Sequence, residues 1–335
     1  MRICICGGGA LGHVCAGVFA ADAPIEIYML TNRPALWNSQ IVVTDPYGKQ
    51  YIAPIKRASS NPADIIPIAD VVLLCQPGYL IEKTLVEIAP FLQPETYVGS
   101  VVASTGFFFQ AHHVLPVTTK LFGFQRVPFI ARVKEYGKSA SLLGYKPCVH
   151  VACENVDPSE HFCERLASLL RTPVKLLNNF YEASLTNSNP ILHTGRLYSM
   201  WHDWDGRRYN QPIKFYHDWD AAASELLIRM DEEFMQLVHK LPIASDAILP
   251  LLTYYESSDA LSLTRKIHSI EAFQSIEAPM KEVDGGWIPD FESRYFTEDF
   301  PYGLRYIKEL AEVYEIATPT IDCVYLWGAG VLEGK

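Results

Sequence analysis

The sequence predicts an α/β protein, a doubly wound parallel sheet domain followed by a mostly helical domain. Three observations predict it. Residues 2–30 read as strand, glycine turn, helix and strand. Strand-like apolar runs then alternate with helical patterns up to about residue 178, and beyond that point long helical patterns take over.

The elements follow in order. Arg2-Ile3-Cys4-Ile5-Cys6 is a short apolar run, and Gly7-Gly8-Gly9-Ala10-Leu11-Gly12 follows it directly. An apolar helical pattern runs from His13 to Ala21, and a second strand, Ile25 to Leu30, comes after Pro24. This is the order a right-handed βαβ unit requires. Val71–Cys75, Tyr97–Val102, Cys148–Ala152 and Val174–Leu177 read as further strands, with helical patterns at Leu80–Phe91 and Ser159–Leu170. The second part carries helical patterns at Pro190–Trp204, His217–Leu241, Ser262–Phe273 and Pro301–Tyr314. Clusters such as Asp284-Gly285-Gly286-Trp287 separate them. The expected domains are therefore 1–178 and 179–335.

Composition narrows the function classes. The chain has 335 residues, 49% of them apolar and 20% charged, which is the mix of a folded protein long enough for two domains. A net charge of −10 argues against a nucleic-acid partner, whose phosphates call for clustered Lys and Arg. No apolar run reaches the roughly 18 residues a membrane span needs. Arg2 and the apolar stretch ending at Ala20-Ala21-Asp22-Ala23 superficially resemble a secretory signal, but Gly7, Gly8, Gly9 and Gly12 would interrupt its helix. The eight cysteines form no Cys-x-x-Cys pair and mostly lie in apolar runs, as free thiols do in a reducing cytoplasm. His112-His113 has no second ligand pair at metal spacing, so no metal is expected.

Gly7, Gly9 and Gly12 match G-x-G-x-x-G, here between a strand and a helix, the context that gives the pattern meaning. Gly7 permits the tight turn, Gly9 lets the backbone approach a pyrophosphate, and Gly12 allows close helix–strand packing. The helix start at Ala10 and Leu11 would present free N–H groups to the phosphates. This is the signature of a Rossmann dinucleotide site. Its second strand ends in Leu30-Thr31-Asn32-Arg33-Pro34, without the acid that would bind an NAD ribose. Asn32 and Arg33 therefore favour NADP(H), with NAD(H) as the alternative; Arg33 can equally be a solvated loop residue. Gln76-Pro77-Gly78 follows the strand ending at Cys75, at the sheet edge where nicotinamide cofactors rest.

Two segments of the helical part carry the chemistry. In Leu185-Thr186-Asn187-Ser188-Asn189-Pro190-Ile191-Leu192-His193, Asn189 and His193 are four apart and share one helix face. The other segment is Arg294-Tyr295-Phe296-Thr297-Glu298-Asp299-Phe300-Pro301-Tyr302-Gly303-Leu304. Gly123-Phe124-Gln125-Arg126-Val127-Pro128-Phe129 reads either as a cleft-facing segment or as a turn between strands. The aromatic run from Tyr198 to Trp219 reads as core, pocket lining or an oligomer contact such as a homodimer.

With the glycine turn, the Asn-Pro-x-x-His and Arg-x4-Asp-x-Pro segments and the ending Ala317-Thr318-Pro319-Thr320-Ile321-Asp322, the chain resembles the octopine/nopaline (opine) dehydrogenase family over nearly its whole length. That family joins a Rossmann domain to a helical domain and reductively couples an amino acid to a 2-oxo acid with NAD(P)H. The resemblance implies that His193 is the general acid/base, a role suited to an imidazole that exchanges protons near neutral pH. It implies that Asp299 orients His193, that Arg294 anchors a substrate carboxylate and that Asn189 hydrogen-bonds the substrate.

Plainer roles stand beside these. Asn189 before Pro190 is a good N-cap, Glu298-Asp299 could cap the helix starting at Pro301, and Arg294 could pair with Glu292 or Glu298. His193 could be a packed core histidine. Two other functions remain open: a reductase of the ketopantoate type and a non-catalytic nucleotide sensor. The ketopantoate type relies on an early lysine in the helical domain, and this chain has none between Lys175 and Lys214.

Overall fold

The computed structural model describes residues 1–21, 24–244 and 246–334. The chain divides into two compact units, Met1–Thr186 and Asn187–Lys335. Asp22 and Ala23, the end of the signal-like stretch, lie outside the described residues, as do Ser245 and Lys335.

The first unit is built on β1 (Arg2–Cys6), α1 (Ala10–Ala20) and β2 (Glu26–Leu30), the βαβ unit expected from the sequence. β3 (Gln40–Thr44) and β4 (Gln50–Ser59) follow, then β5 (Val71–Leu74), α2 (Gly78–Ile88), β6 (Tyr97–Val101), α3 (Phe107–Val114) and β7 (Lys120–Phe124). β8 (Phe129–Glu135), β9 (Ser139–Tyr145), β10 (Val149–Glu154), α4 (Ser159–Leu170), β11 (Val174–Leu176) and α5 (Phe180–Leu185) complete the unit. Among the described residues these strands form one sheet in the order β11-β10-β7-β6-β5-β1-β2-β4-β3-β9-β8.

The six strands from β7 through β1 to β4 are the parallel centre: β1 pairs in parallel with β2 and β5, β6 with β5 and β7, and β2 with β4. The sheet is mixed at its margins. β3 runs antiparallel to β4, β8 antiparallel to β9, and β10 antiparallel to β7. β4 changes partner along its length, pairing with β3 through Gln50–Pro54 and with β2 from Ile55 onward. Pro54 stands at the change, where its missing N–H removes no bond from the interior of either ladder.

This added sheet explains why α1 is apolar on every side: each residue from Gly12 to Phe19 is buried. Its neighbours include Ile41, Val43, Tyr51 and Ala53 of the added strands. Gly17 lets β3 come close, since a Cβ there would lie 2.3 Å from a methyl of Val43. Gln125 and Arg126 lie in the turn after β7 and bind backbone carbonyls, Glu182 O at 3.2 Å and Thr186 O at 2.9 Å. They hold α5 to the unit, which therefore ends at Thr186 rather than near residue 178.

The second unit contains α6 (Asn189–Trp201), α7 (Ala221–Val238), α8 (Leu251–Tyr254), α9 (Ala260–Ser269), the hairpin β12 (Met280–Val283) and β13 (Gly286–Pro289), α10 (Arg294–Thr297), α11 (Arg305–Val313) and α12 (Pro319–Glu333). Caps fix the helix starts. Asp220 accepts from Ala223 N at 2.8 Å, and Asp259 forms a capping box with Ser262. The cluster at Asp284-Gly285 is a hairpin turn rather than a plain helix separator, with Gly285 at φ +78° and Gly286 at φ +140°. α12 begins beneath the buried Glu233, whose carboxylate accepts from Thr320 N and Ile321 N, each at 2.9 Å. Among the described residues no helix is long and apolar enough to cross a membrane.

Candidate active site

The nucleotide cleft grows from the turn after β1. Gly7 sits at φ +114°, and a Cβ there would come within 2.6 Å of the Cys75 carbonyl oxygen. At Gly12 a Cβ would meet the Gly7 oxygen at 2.1 Å, so α1 packs tightly on the turn. Gly9 caps α1 and behaves differently: a Cβ there would meet no atom within 4 Å. It faces open space beside a helix start with no side-chain cap, where the N–H groups of Ala10, Leu11 and Gly12 have no intrahelical acceptor. Such a cradle fits a phosphate.

The middle glycine is also constrained, which the motif does not express. A Cβ on Gly8 would lie 2.2 Å from the hydroxyl of Tyr136. Tyr136, at the tip of the β8–β9 hairpin, bonds Thr31 Oγ1 at 2.9 Å. His13 ties the same hairpin to the turn. Its Nδ1–H donates to Gly9 O at 2.9 Å, and its Nε2 accepts from Gly137 N at 2.7 Å. The imidazole is fully buried and stacks on Trp37 with centroids 4.4 Å apart. Burial lowers its pKa, against the smaller opposing effect of the Gly9 carbonyl, so the ring stays neutral and this tautomer is fixed.

These residues enclose a cleft of about 350 Å³ lined by Gly7, Gly8, Gly9, Asn32, Arg33, Gln76, Pro77 and Tyr136. The structure thus brings together the predicted nucleotide residues at the carboxyl ends of β1, β2 and β5. Arg33 is exposed and lies 5.9 Å from the Tyr136 ring, with no carboxylate partner among the described residues. The buried Gln76 Oε1 has no hydrogen-bond partner there either. An unpaired cation and an orphaned amide oxygen beside an open glycine turn suit a dinucleotide, whose phosphates and amide groups supply the missing partners.

The helical unit carries its own cluster of candidate residues. α6 carries Asn189 on its first turn and His193 one turn later, as the spacing predicts. Ser188, not Asn189, occupies the cap position: its carbonyl accepts from Leu192 N at 2.8 Å, and Asn189 opens the helix with Pro190 behind it. The Asn189 amide makes no side-chain hydrogen bond among the described residues. His193 Nδ1 lies 2.8 Å from Asp299 Oδ2, the two side chains being 13% and 17% exposed. Asp299 caps nothing, so its carboxylate is given to the histidine instead.

A π-helical turn, Phe300–Leu304, follows Asp299 and leads into α11. Gly303 in that turn is pressed on Pro190: a Cβ there would come within 2.6 Å of the proline ring. The Asn-Pro-x-x-His and Asp-x-Pro-x-Gly segments therefore meet through Pro190 and Gly303, which seats His193 opposite Asp299. Gly328 of α12 gives Phe300 the same clearance, at 2.1 Å.

Three aromatic residues complete the surroundings, two of them, Phe215 and Tyr216, from the aromatic run Tyr198–Trp219. Tyr216 Oη is 3.3 Å from His193 Nε2. Tyr295 tilts over the imidazole with centroids 4.6 Å apart, and Phe215 meets it edge-on at 5.6 Å. Burial, followed by nearby tyrosines and Asp299, pushes the Tyr216 phenol well above its ordinary pKa, so it keeps its proton. Arg196 holds this loop: the buried guanidinium donates to Phe215 O at 3.0 Å and to Asp218 O at 2.7 Å. Burial lowers its pKa to about 10, partly offset by Asp220 and Asp218. Arg294 begins α10, next to Tyr295, and is exposed with no ion pair to Glu292 or Glu298 among the described residues. Groups of His, Cys, Asp and Glu suited to hold a metal are absent among the described residues.

A Rossmann-type nucleotide cleft and a helical unit with a carboxylate-held histidine make this chain an NAD(P)-dependent oxidoreductase. Residues 176–332 match the family described as NAD/NADP octopine/nopaline dehydrogenase, alpha-helical domain, and residues 3–106 match the ketopantoate reductase PanE/ApbA family. The helical unit therefore carries the octopine/nopaline dehydrogenase domain, and the chain is an oxidoreductase that acts on a CH–NH bond.

Tauropine dehydrogenase of Arabella iricolor is 28% identical to it, across 99% of this chain and 91% of that protein. Octopine dehydrogenase of Mizuhopecten yessoensis is 26% identical, across 98% and 89% respectively. A solved octopine dehydrogenase with NADH and L-arginine superposes with a TM-score of 0.86 at 25% identity, covering 99% of this chain and 90% of that one.

Proposed function

We propose that this enzyme condenses the amino group of an amino acid with a 2-oxo acid and reduces the resulting imine, with NADPH preferred over NADH. One observation carries the reading: His193 is held by Asp299 through Nδ1 at 2.8 Å, which leaves Nε2 as its working nitrogen. An Nδ1–H donated to a carboxylate fixes the tautomer and stabilises the imidazolium that forms during proton transfer.

Neutral Nε2 takes one proton from the substrate ammonium. The freed amine adds to the oxo-acid carbonyl and passes a second N–H proton to the alkoxide. The imidazolium then protonates the resulting hydroxyl, which leaves as water. The C=N bond then forms from the nitrogen lone pair. A reduced nicotinamide bound in the cleft would supply the hydride for the imine carbon. Tyr216, protonated and 3.3 Å from Nε2, steers that nitrogen. Arg294 offers a guanidinium with two parallel donors to a substrate carboxylate. Asn189 offers an unused amide on the helix face of His193.

Gly7, Gly9, Ala10, Leu11 and Gly12 would hold the pyrophosphate, and Gln76 with Pro77 would border the nicotinamide end. Asn32 and Arg33, with no acid after β2, support the 2′-phosphate preference. The free cysteines, mostly buried, support residence in the reducing cytoplasm.

The purified enzyme with NADPH or NADH should oxidise the cofactor only when an amino acid and a 2-oxo acid are both present. Oxidation with the oxo acid alone would replace this reading with hydroxy-acid formation. Cofactor binding without turnover on any pair would replace it with nucleotide sensing.

A further inference from the structure

A second cavity, of about 520 Å³, lies in the first unit at the amino ends of β1, β5 and β6, the opposite edge of the sheet from the glycine turn. Phe19 of α1 and Phe162, Leu166 and Leu169 of α4 stand over the sheet here and leave a gap between the two helices. Ile3, Leu73 and Phe122 of the sheet floor it, and Tyr97, stacked on Phe162 with centroids 4.7 Å apart and rings 9° from parallel, forms a wall. The volume falls within the range of small-molecule sites, about 300–1,000 Å³, and the lining is apolar as such sites are.

The charges stand at the rim; the Met1 ammonium donates to the Pro24 carbonyl, and among the described lining residues Arg165 is the charged side chain without an opposite charge. Arg2 pairs with Asp70 at 2.7 Å, and Lys120 pairs with Glu95. Arg165 has only the Met1 sulfur, at 3.2 Å, and no carboxylate among the described residues. An apolar chamber with one spare side-chain cation at its mouth is complementary to an apolar tail carrying one negative charge. Asp70 and Glu95 on the same rim disfavour a doubly charged phosphate, so a single carboxylate fits better.

We propose that this cavity is a second ligand site, which takes an apolar monocarboxylate with its hydrocarbon among Phe19, Phe122 and Phe162 and its carboxylate on Arg165. The site is separate from the nucleotide cleft, so occupant and cofactor bind together.

Calorimetric titration of the full-length enzyme with decanoate and with decanol, each with and without saturating NADH, tests it. Decanoate is expected to bind at one site per chain, undisturbed by NADH. Arg165→Gln should weaken decanoate about tenfold and leave decanol unchanged, because only the charged hydrogen bonds are lost. Leu166→Trp, which fills the chamber, should abolish binding of both while NADH affinity is kept. Absence of saturable decanoate binding, displacement of decanoate by NADH, or unchanged decanoate affinity in Arg165→Gln each overturns the proposal. Arg165 is exposed, so its variant decides the matter even if Leu166→Trp fails to fold.

Discussion

The Nδ1 of His193 lies 2.8 Å from the carboxylate of Asp299, a residue 106 positions further along the chain. Two helix starts and one close contact, Gly303 on Pro190, set that distance. Asp299→Asn keeps the size of the side chain but lets its amide donate to Nδ1, which favours the wrong tautomer. The turnover number should fall on the order of 10²–10⁴-fold, with substrate KM changed far less. His193→Ala should fall at least as far. Near-normal turnover of either variant in a steady-state assay would remove the pair from proton transfer.

Arg33 has no carboxylate partner among the described residues and no acid precedes it at the end of β2. Arg33→Ala should therefore raise the KM for NADPH about tenfold and leave that for NADH nearly unchanged, the loss of one charged contact to a 2′-phosphate. Cofactor titration followed by fluorescence reads this directly. A parent enzyme that prefers NADH would place Arg33 outside the nucleotide site.

Gly8 is the glycine the motif treats as free, yet its missing Cβ makes room for Tyr136. Gly8→Ala should weaken cofactor binding by tenfold or more, because either the turn or the β8–β9 tip must shift. Tyr136→Ala in the same chain should restore part of that affinity, since the clash is with the phenol rather than with backbone. A double variant no better than Gly8→Ala alone would mean the glycine serves the phosphate directly.

How much of this could be read from residues follows from locality. The βαβ start, the helices α6, α7, α9 and α11 and the Asn189–His193 face are set by short-range periodicity and spacing, and they stand where the pattern put them. β3, β4, β8 and β9 escaped because their alternation is weak: β4 carries Lys56 and Arg57 on its open face and Pro54 in its middle. α12 escaped because it is apolar nearly all round and shows no polar stripe. Tyr216, Tyr136 and His13 reach their partners across 23 to 124 positions, and nothing local in the sequence marks such contacts. The aromatic run holding Phe215 and Tyr216 was the one available signal, and it does not tell a wall of the site from core.

Asp231 gives the helical unit a pH dependence of its own. Its half-buried carboxyl accepts from Leu251 N at 2.8 Å at the start of α8. Burial, with a smaller push from Glu232, raises its pKa to about 6, against the opposing Leu251 hydrogen bond. The unfolded chain releases this proton near pH 4, about two units earlier. Between those values the folded state binds more protons than the unfolded one, so this group's contribution to stability falls as pH rises from about 4 to about 6 and is constant above. Asp231→Asn cannot ionise and still offers an oxygen to Leu251 N. At pH 7.5 the variant should be more stable than the parent by on the order of 2–3 kcal/mol, seen as a higher thermal midpoint. At pH 4 the two midpoints should coincide. A gain of equal size at both pH values would show that Asp231 acts through packing rather than charge.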